Sequence, residues 1–215
     1  MAAADMPADM TAAEERAAMV QRLRSTGIED LRVLAAMRDV PRELFVPPQL
    51  AHAAYHDSPL SIDLGQTISA PWIVAFSAAA LLKSPDAHVL EVGTGSGYGA
   101  AVLSRCYRTV VTVERHPQLA VKASAALAAL GITNVEVRTG DGAAGVPERA
   151  PFDGIVVTAM ADTAPPPALL EQLSPEGTLI CPVGRRRRGV LRRYRAGQVE
   201  DLVRVAFVPL VTGHG

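Results

Sequence analysis

The run Val89-Leu90-Glu91-Val92-Gly93-Thr94-Gly95-Ser96-Gly97-Tyr98-Gly99 limits what this chain can fold into more than any other segment. Strand-forming residues give way to a glycine at every second position, and a helix-compatible segment, 100–103, follows. That order suits a buried strand turning sharply into a helix, its backbone bare enough to pass close to a nucleotide-like molecule. A side chain at Gly93, Gly95 or Gly97 would hold such a molecule away.

From residue 88 onward, strand and helix patterns alternate. Strands are expected at 88–92, 109–113, 134–138, 153–158, 177–182, 189–195 and 202–208, and helices at 97–105, 117–130 and 165–173. This alternation predicts βαβ units and a doubly wound, mainly parallel α/β sheet covered on both faces. The last two strands are joined through Gly197 at hairpin spacing and should pair antiparallel at the sheet edge. Upstream, helices are expected at 13–24, 29–37 and 72–83, separated by loops rich in proline. The expected organisation is therefore a disordered stretch, 1–12, then a single domain, 13–215. Within it, a helical and loop extension (13–83) precedes the sheet (84–215).

The glycine spacing alone leaves the ligand open. Read as G-x-G-x-x-G/A from Gly93, the sixth position is Tyr98, a misfit; read from Gly95 it is Ala100, a fit, so a nicotinamide dinucleotide stays possible. Acidic residues shift the balance. Glu114 ends the strand after the turn, beside the expected ribose, where a carboxylate can accept both hydroxyl hydrogens. Asp141, followed by the permissive Gly142, ends the next strand and can meet an adenine amino group. With Glu91 just before the turn, so many carboxylates would serve a pyrophosphate poorly. They suit S-adenosyl-L-methionine, which carries a sulfonium and an ammonium.

Composition removes other classes. Lys and Arg total 21 against 22 Asp and Glu, a net charge of -1, so nothing global draws the chain to nucleic acid or an anionic membrane. The longest apolar stretch, 73–82, is about half the ~20 residues of a membrane span. The N-terminus has neither the basic nor the apolar region of a secretory signal, so a cytoplasmic location is expected. Cys106 and Cys181 sit in apolar surroundings and read as buried hydrophobes, and the five histidines form no metal-ligand set.

A second feature, Leu64-Gly65-Gln66-Thr67-Ile68-Ser69-Ala70-Pro71-Trp72, puts two hydroxyls, an amide and a glycine into a short loop. Such a loop can hydrogen-bond a carboxylate, or it can simply cap the helix that opens near Trp72. With this loop, the chain resembles the protein-L-isoaspartate (D-aspartate) O-methyltransferase family from about Met19 to Leu210. The marks are Val40-Pro41-Arg42, Phe45-Val46-Pro47, Gly65-Gln66-Thr67-Ile68-Ser69-Ala70-Pro71, the glycine turn, Val113-Glu114-Arg115, Gly140-Asp141-Gly142, Cys181-Pro182-Val183-Gly184 and Phe207-Val208-Pro209-Leu210.

The resemblance implies a methyltransferase fold with a methyl group passed from S-adenosyl-L-methionine to the free α-carboxylate of an isoaspartyl residue in damaged protein. Ser69 falls on the family's active-site serine, and Thr67 and Trp72 fall on the substrate side. Glu91, Gly93, Gly95, Gly97, Glu114, Asp141 and Gly142 fall on the cofactor side, with no metal. The expected partners are damaged proteins and peptides bearing isoaspartyl residues, met by a monomer. Trp72 stands where many relatives carry His or Tyr. The run Arg185–Arg188 admits two readings: a solvated loop, which is preferred, and a contact for an acidic peptide. A methyltransferase acting on another carboxylate and a catalytically silent S-adenosylmethionine-binding module remain as alternatives.

Overall fold

The computed structural model describes residues 10–81 and 84–213. Of the stretch expected to be disordered, residues 1–9 lie outside the described residues, as do the last two positions of the helix expected at 72–83. Two helices open the chain, α1 (Ala12–Ser25) and α2 (Leu31–Asp39). Thr11 and Glu14 form a reciprocal capping box that fixes the start of α1, and the Asp30 carboxylate accepts the N–H groups of Arg32 and Val33 at the start of α2. A two-stranded ribbon follows, β1 (Leu60–Ser61) against β2 (Thr67–Ile68), then α3 (Pro71–Leu81).

The remainder is β3 (His88–Val92), α4 (Tyr98–Cys106), β4 (Thr109–Glu114), α5 (Pro117–Ala129), β5 (Val135–Thr139), β6 (Phe152–Val157), α6 (Pro167–Glu171), β7 (Leu173–Arg185), β8 (Arg188–Arg195) and β9 (Gln198–Ala206). Seven of these strands form one sheet in the order β5-β4-β3-β6-β7-β8-β9. It is parallel from β5 through β7 and antiparallel from β7 to β9.

Alternation along the central strands divides their side chains between two cores. Val89, Val110, Val156 and Ile180 join α1 to α4 and the end of α5 in one apolar cluster. Leu90, Val92, Val111, Ile155, Val157 and Leu179 face the other way, with Leu169 of α6 and Phe152. Both faces are buried, so these strands read as nearly continuous apolar runs. Cys106 and Cys181 are buried free thiols, pushed up to about 12 by desolvation.

β9 starts at Gln198 rather than 202, and Thr11 and Ala12, expected to be disordered, open α1; two further elements differ from expectation. β7 runs from Leu173 to Arg185 rather than 177–182, because β8 pairs with it continuously from Thr178↔Arg195 to Arg185↔Arg188. The arginine run is therefore the tip of a two-residue hairpin, and the antiparallel edge is a three-strand meander rather than one hairpin. α6 spans five residues instead of the expected 165–173. Consecutive prolines at 165–167 hold the preceding backbone extended, so the helix begins only at Pro167.

Gly97 joins the turn to α4 in a left-handed conformation, φ +92. A Cβ there would stand 3.0 Å from the Ala123 Cβ on α5. The neighbour is thus a packed helix, and Gly97→Ala should lower stability by about 2 kcal/mol through strain and overpacking. Urea unfolding measures it; a loss below about 0.5 kcal/mol would show that α5 recoils freely.

Candidate active site

Chain connections run outward in opposite directions from β3 and β6, which makes the crevice at their C-terminal ends a topological switch point. Here Thr158, directly after β6, ties the two strands together. Its N–H donates to the Val92 carbonyl at 2.9 Å. Its hydroxyl is shared between the carbonyls of Val92 (3.0 Å) and Gly93 (2.8 Å). Gly93 has φ +98, and a Cβ on it would overlap the Thr158 hydroxyl. Glycine is required at this position by the strand-to-strand clamp itself.

Thr67, Gly93, Gly95, Glu114 and Gly142 line one cleft at these strand ends, together with Gln66, Thr158 and the segment Val208–Val211. Glu114 is buried, and its two oxygens each accept one backbone N–H, from Gly95 at 2.8 Å and from His116 at 3.0 Å. Two N–H groups fix the carboxylate plane while each oxygen keeps a further lone pair for a ligand hydroxyl. Arg115, also in the cleft, donates to the Val211 carbonyl at 2.9 Å. Asp141 stands just behind Gly142. One of its oxygens accepts the Ala143 N–H at 2.9 Å, and the other accepts that of Gly213 at 2.6 Å, pinning the C-terminal segment beside the cleft.

Ser69 and Glu91 line a second pocket, joined to the first through Thr158 and walled by Phe207, Ile73 and Gly99. Trp72, Gly97 and Asp141 line neither pocket. Trp72 instead stacks on Phe76, with centroids 4.8 Å apart. α3 starts at Pro71, and the N–H of Trp72 is taken at 2.8 Å by the Asp57 carboxylate, from fifteen residues upstream. Asp57 therefore does the capping that the sequence allowed Ser69 to do, and the Ser69 hydroxyl makes no hydrogen bond to any described residue. Asp57 and Thr158 carry weight in the site that residue spacing did not single out. The only signal for Asp57 was its place in a loop dense in turn-forming residues.

Glu91, the acid of the second pocket, is also buried, at 2% exposed. The Thr112 hydroxyl donates to one oxygen at 2.7 Å and shares a 2.6 Å contact with the Thr94 hydroxyl. The other oxygen lies against Gly99, where any Cβ would overlap it. Desolvation, with a smaller contribution from the charge of Glu114, pushes its acid up to about 8. A cation placed beside it is what would restore its charge near neutral pH.

A parallel sheet with its ligand cleft at the switch point, an anchored carboxylate after the second strand and a buried acid before the glycine turn define an S-adenosylmethionine-dependent methyltransferase. Over residues 14–215 the chain matches the family described as Protein-L-isoaspartate(D-aspartate) O-methyltransferase. It is 49% identical over 209 residues to the protein-L-isoaspartate O-methyltransferase of Roseiflexus sp. (strain RS-1), covering 95% of each chain. To that of Methylorubrum extorquens (strain PA1) it is 51% identical over 209 residues, covering 94% of this chain and 91% of the relative. A solved protein-L-isoaspartate O-methyltransferase superposes with TM-score 0.83 at 28% identity, over 93% of this chain and 67% of that one. A Plasmodium falciparum beta-aspartate methyltransferase, solved in complex with S-adenosyl-L-homocysteine, superposes with TM-score 0.80 at 26% identity, over 91% of this chain and 98% of that one. The chain belongs to the protein-L-isoaspartate (D-aspartate) O-methyltransferase family.

The raised acid of Glu91 has a consequence for stability. In the unfolded chain the group loses its proton near 4.5, whereas the native state holds it up to about 8. Across that window the native state binds more protons, so stability falls as pH rises. Glu91→Gln keeps an acceptor for Thr112 and removes the slope. Its advantage over the unaltered protein in chemical unfolding should grow from pH 4.5 to about 8. A stability difference independent of pH would show that Glu91 ionises normally.

Proposed function

We propose that this protein transfers the methyl group of S-adenosyl-L-methionine to the free α-carboxylate of L-isoaspartyl residues in damaged proteins, with D-aspartyl sites as a further substrate. The observation that carries the reading is the unpartnered Ser69 hydroxyl, in a pocket that meets an acidic nucleoside-type cleft at Thr158. The cleft fits the methyl donor by its chemistry. Glu114 is pre-oriented to accept ribose hydroxyls, Gly142 and Asp141 flank the position for the base, and Glu91 waits beside the Ser69 pocket for a cationic group. Bound there, S-adenosyl-L-methionine supplies an electrophilic methyl whose passage to a carboxylate oxygen breaks one S–CH3 bond and moves no proton.

The chain's own residues then have a limited task. A carboxylate is ionised at neutral pH, so the site needs no strong general base, and alignment in a confined pocket supplies most of the acceleration. Ser69 holds the substrate carboxylate by a hydrogen bond nearest the transferred methyl, and Thr67 supports it from the adjoining cleft wall. Trp72, stacked on Phe76 outside both pockets, is given no contact with the substrate carboxylate in this reading. The methyl ester then collapses to a succinimide as the neighbouring backbone nitrogen attacks its carbonyl and expels methanol, and hydrolysis returns part of the product to aspartate.

The same reading takes residues 13–215 as one domain, because α1 and α2 share a single apolar core with strands β3, β6 and β7. It takes the protein as a monomer working in the cytoplasm on proteins rather than nucleic acid or membranes. The net charge of -1 gives no bulk attraction to polyanions, and among the described residues no helix is long and apolar enough to cross a membrane.

Two measurements test the reading. With a radioactive methyl donor, the protein should label an isoaspartyl peptide and leave the same peptide with normal aspartate unlabelled. Equal labelling of both, or of neither, overturns the assignment. Ser69→Ala should lower kcat by about tenfold to a hundredfold while leaving the Kd for the methyl donor unchanged, since it removes one hydrogen bond to an anion. A weakened donor Kd with normal kcat would instead make Ser69 a cofactor contact.

A further inference from the structure

The hairpin between β7 and β8 turns on Arg186 and Arg187, both left-handed, with φ +50 and +65. Two consecutive left-handed residues are the type I′ turn, whose central positions favour Asn and Gly because a Cβ strains them. Here both are arginine, flanked by the directly paired Arg185 and Arg188. Arg185 bonds Asp162 at 2.8 Å, with both side chains largely exposed, at 72% and 69%. Arg186, Arg187 and Arg188 take part in no ion pair among the described residues. The turn therefore carries strain and unpaired like charge, and the fold uses neither.

The position of the tip suggests a use. β7 runs parallel to β6, so its end rises on the side of the sheet where the strand ends form the site. Gly184 donates to the Ala161 carbonyl at 2.8 Å, anchoring the hairpin to the loop that follows Thr158. Phe207 donates to the Arg187 carbonyl at 3.2 Å, and Phe207 is also a wall of the Ser69 pocket. One hydrogen bond separates the arginine tip from the pocket assigned to the isoaspartyl carboxylate. In a chain of net charge -1 this positive patch is local, and it stands beside the Phe207 wall of the Ser69 pocket.

We propose that Arg186, Arg187 and Arg188 select isoaspartyl sites flanked by acidic residues, by pairing with side-chain carboxylates of the bound peptide outside the Ser69 pocket. The inference rests on the methyl-transfer reading above. Guanidinium groups match carboxylates in a two-pronged geometry, and at an exposed rim such pairs act on encounter and binding rather than on the chemical step. They are also screened over a Debye length of about 8 Å at physiological salt. The preference therefore appears in KM, weakens with salt and leaves kcat alone.

The test uses three isoaspartyl peptides, identical except for flanking Glu, Gln or Lys, and the double variant Arg186→Asn/Arg187→Gly. That pair satisfies the turn better than arginine does, so the hairpin is retained. The unaltered protein should show its lowest KM for the Glu peptide. The variant should raise that KM by about threefold to tenfold, as expected for two exposed ion pairs, with kcat and the Gln-peptide KM unchanged. Arg186→Lys/Arg187→Lys should retain most of the preference. Equal KM values for the three peptides, or a variant that changes all three alike, overturn the proposal while leaving methyl transfer intact. If no peptide is methylated, the methyl-transfer reading falls and this inference with it. If the Asn/Gly variant loses affinity for a DNA duplex and keeps its Glu-peptide KM, the tip binds nucleic acid and the peptide proposal is overturned.

Discussion

One hydroxyl, that of Thr158, holds together the two strand ends on which the rest of the site depends. Shared between the carbonyls of Val92 and Gly93, it keeps β3 and β6 in register beyond their last ladder pair. At this point the chain connections part in opposite directions, so no helix covers the crevice and a ligand can lie across it. The clamp also explains why the backbone is bare: the space a side chain would take at Gly93 belongs to Thr158. Both pockets meet at this residue, so its position sets how they are joined.

Around the clamp, the two acids have been given different surroundings and hence different roles. Glu114 is buried but receives two backbone N–H groups, so it is held as an oriented acceptor. Glu91 is equally buried with only the Thr112 hydroxyl for support, and desolvation raises its acid. Burying a carboxylate that poorly compensated costs stability, and such arrangements cluster at functional sites. A similar division of labour frees Ser69. Because Asp57 serves the N-terminus of α3, the serine hydroxyl is left with no internal task.

Much of this was legible in the linear order of residues. Apolar runs at 88–92, 109–113 and 153–158 read as strands buried on both faces, and glycine at every second position after Val92 announced a turn against a ligand. Glu114 and Asp141 at successive strand tips pointed to a nucleoside. Pairing partners distant in sequence were less visible. Arg185 and Arg188 carry no strand signal of their own, yet cross-strand bonding draws them into β7 and β8. Asp57 looked like one polar loop residue among several, because the N–H it serves lies on a helix that only the folded chain brings near. Asp141 was read as a ligand contact, and its bond to Gly213 depended on where the C-terminal segment crosses the sheet.

By itself the sequence determined the parallel α/β sheet, the strand that carries the glycine turn and the class of molecule the turn can approach. These follow from local periodicity and from backbone freedom at glycine, both properties of neighbouring residues. The tertiary structure alone decided which hydroxyl is left free, which carboxylate is raised and which residues form the tip of the β7–β8 hairpin. Each of those outcomes is a competition between groups far apart in the chain for the same hydrogen bond or the same water-free space. Only the folded arrangement sets the distances that settle it.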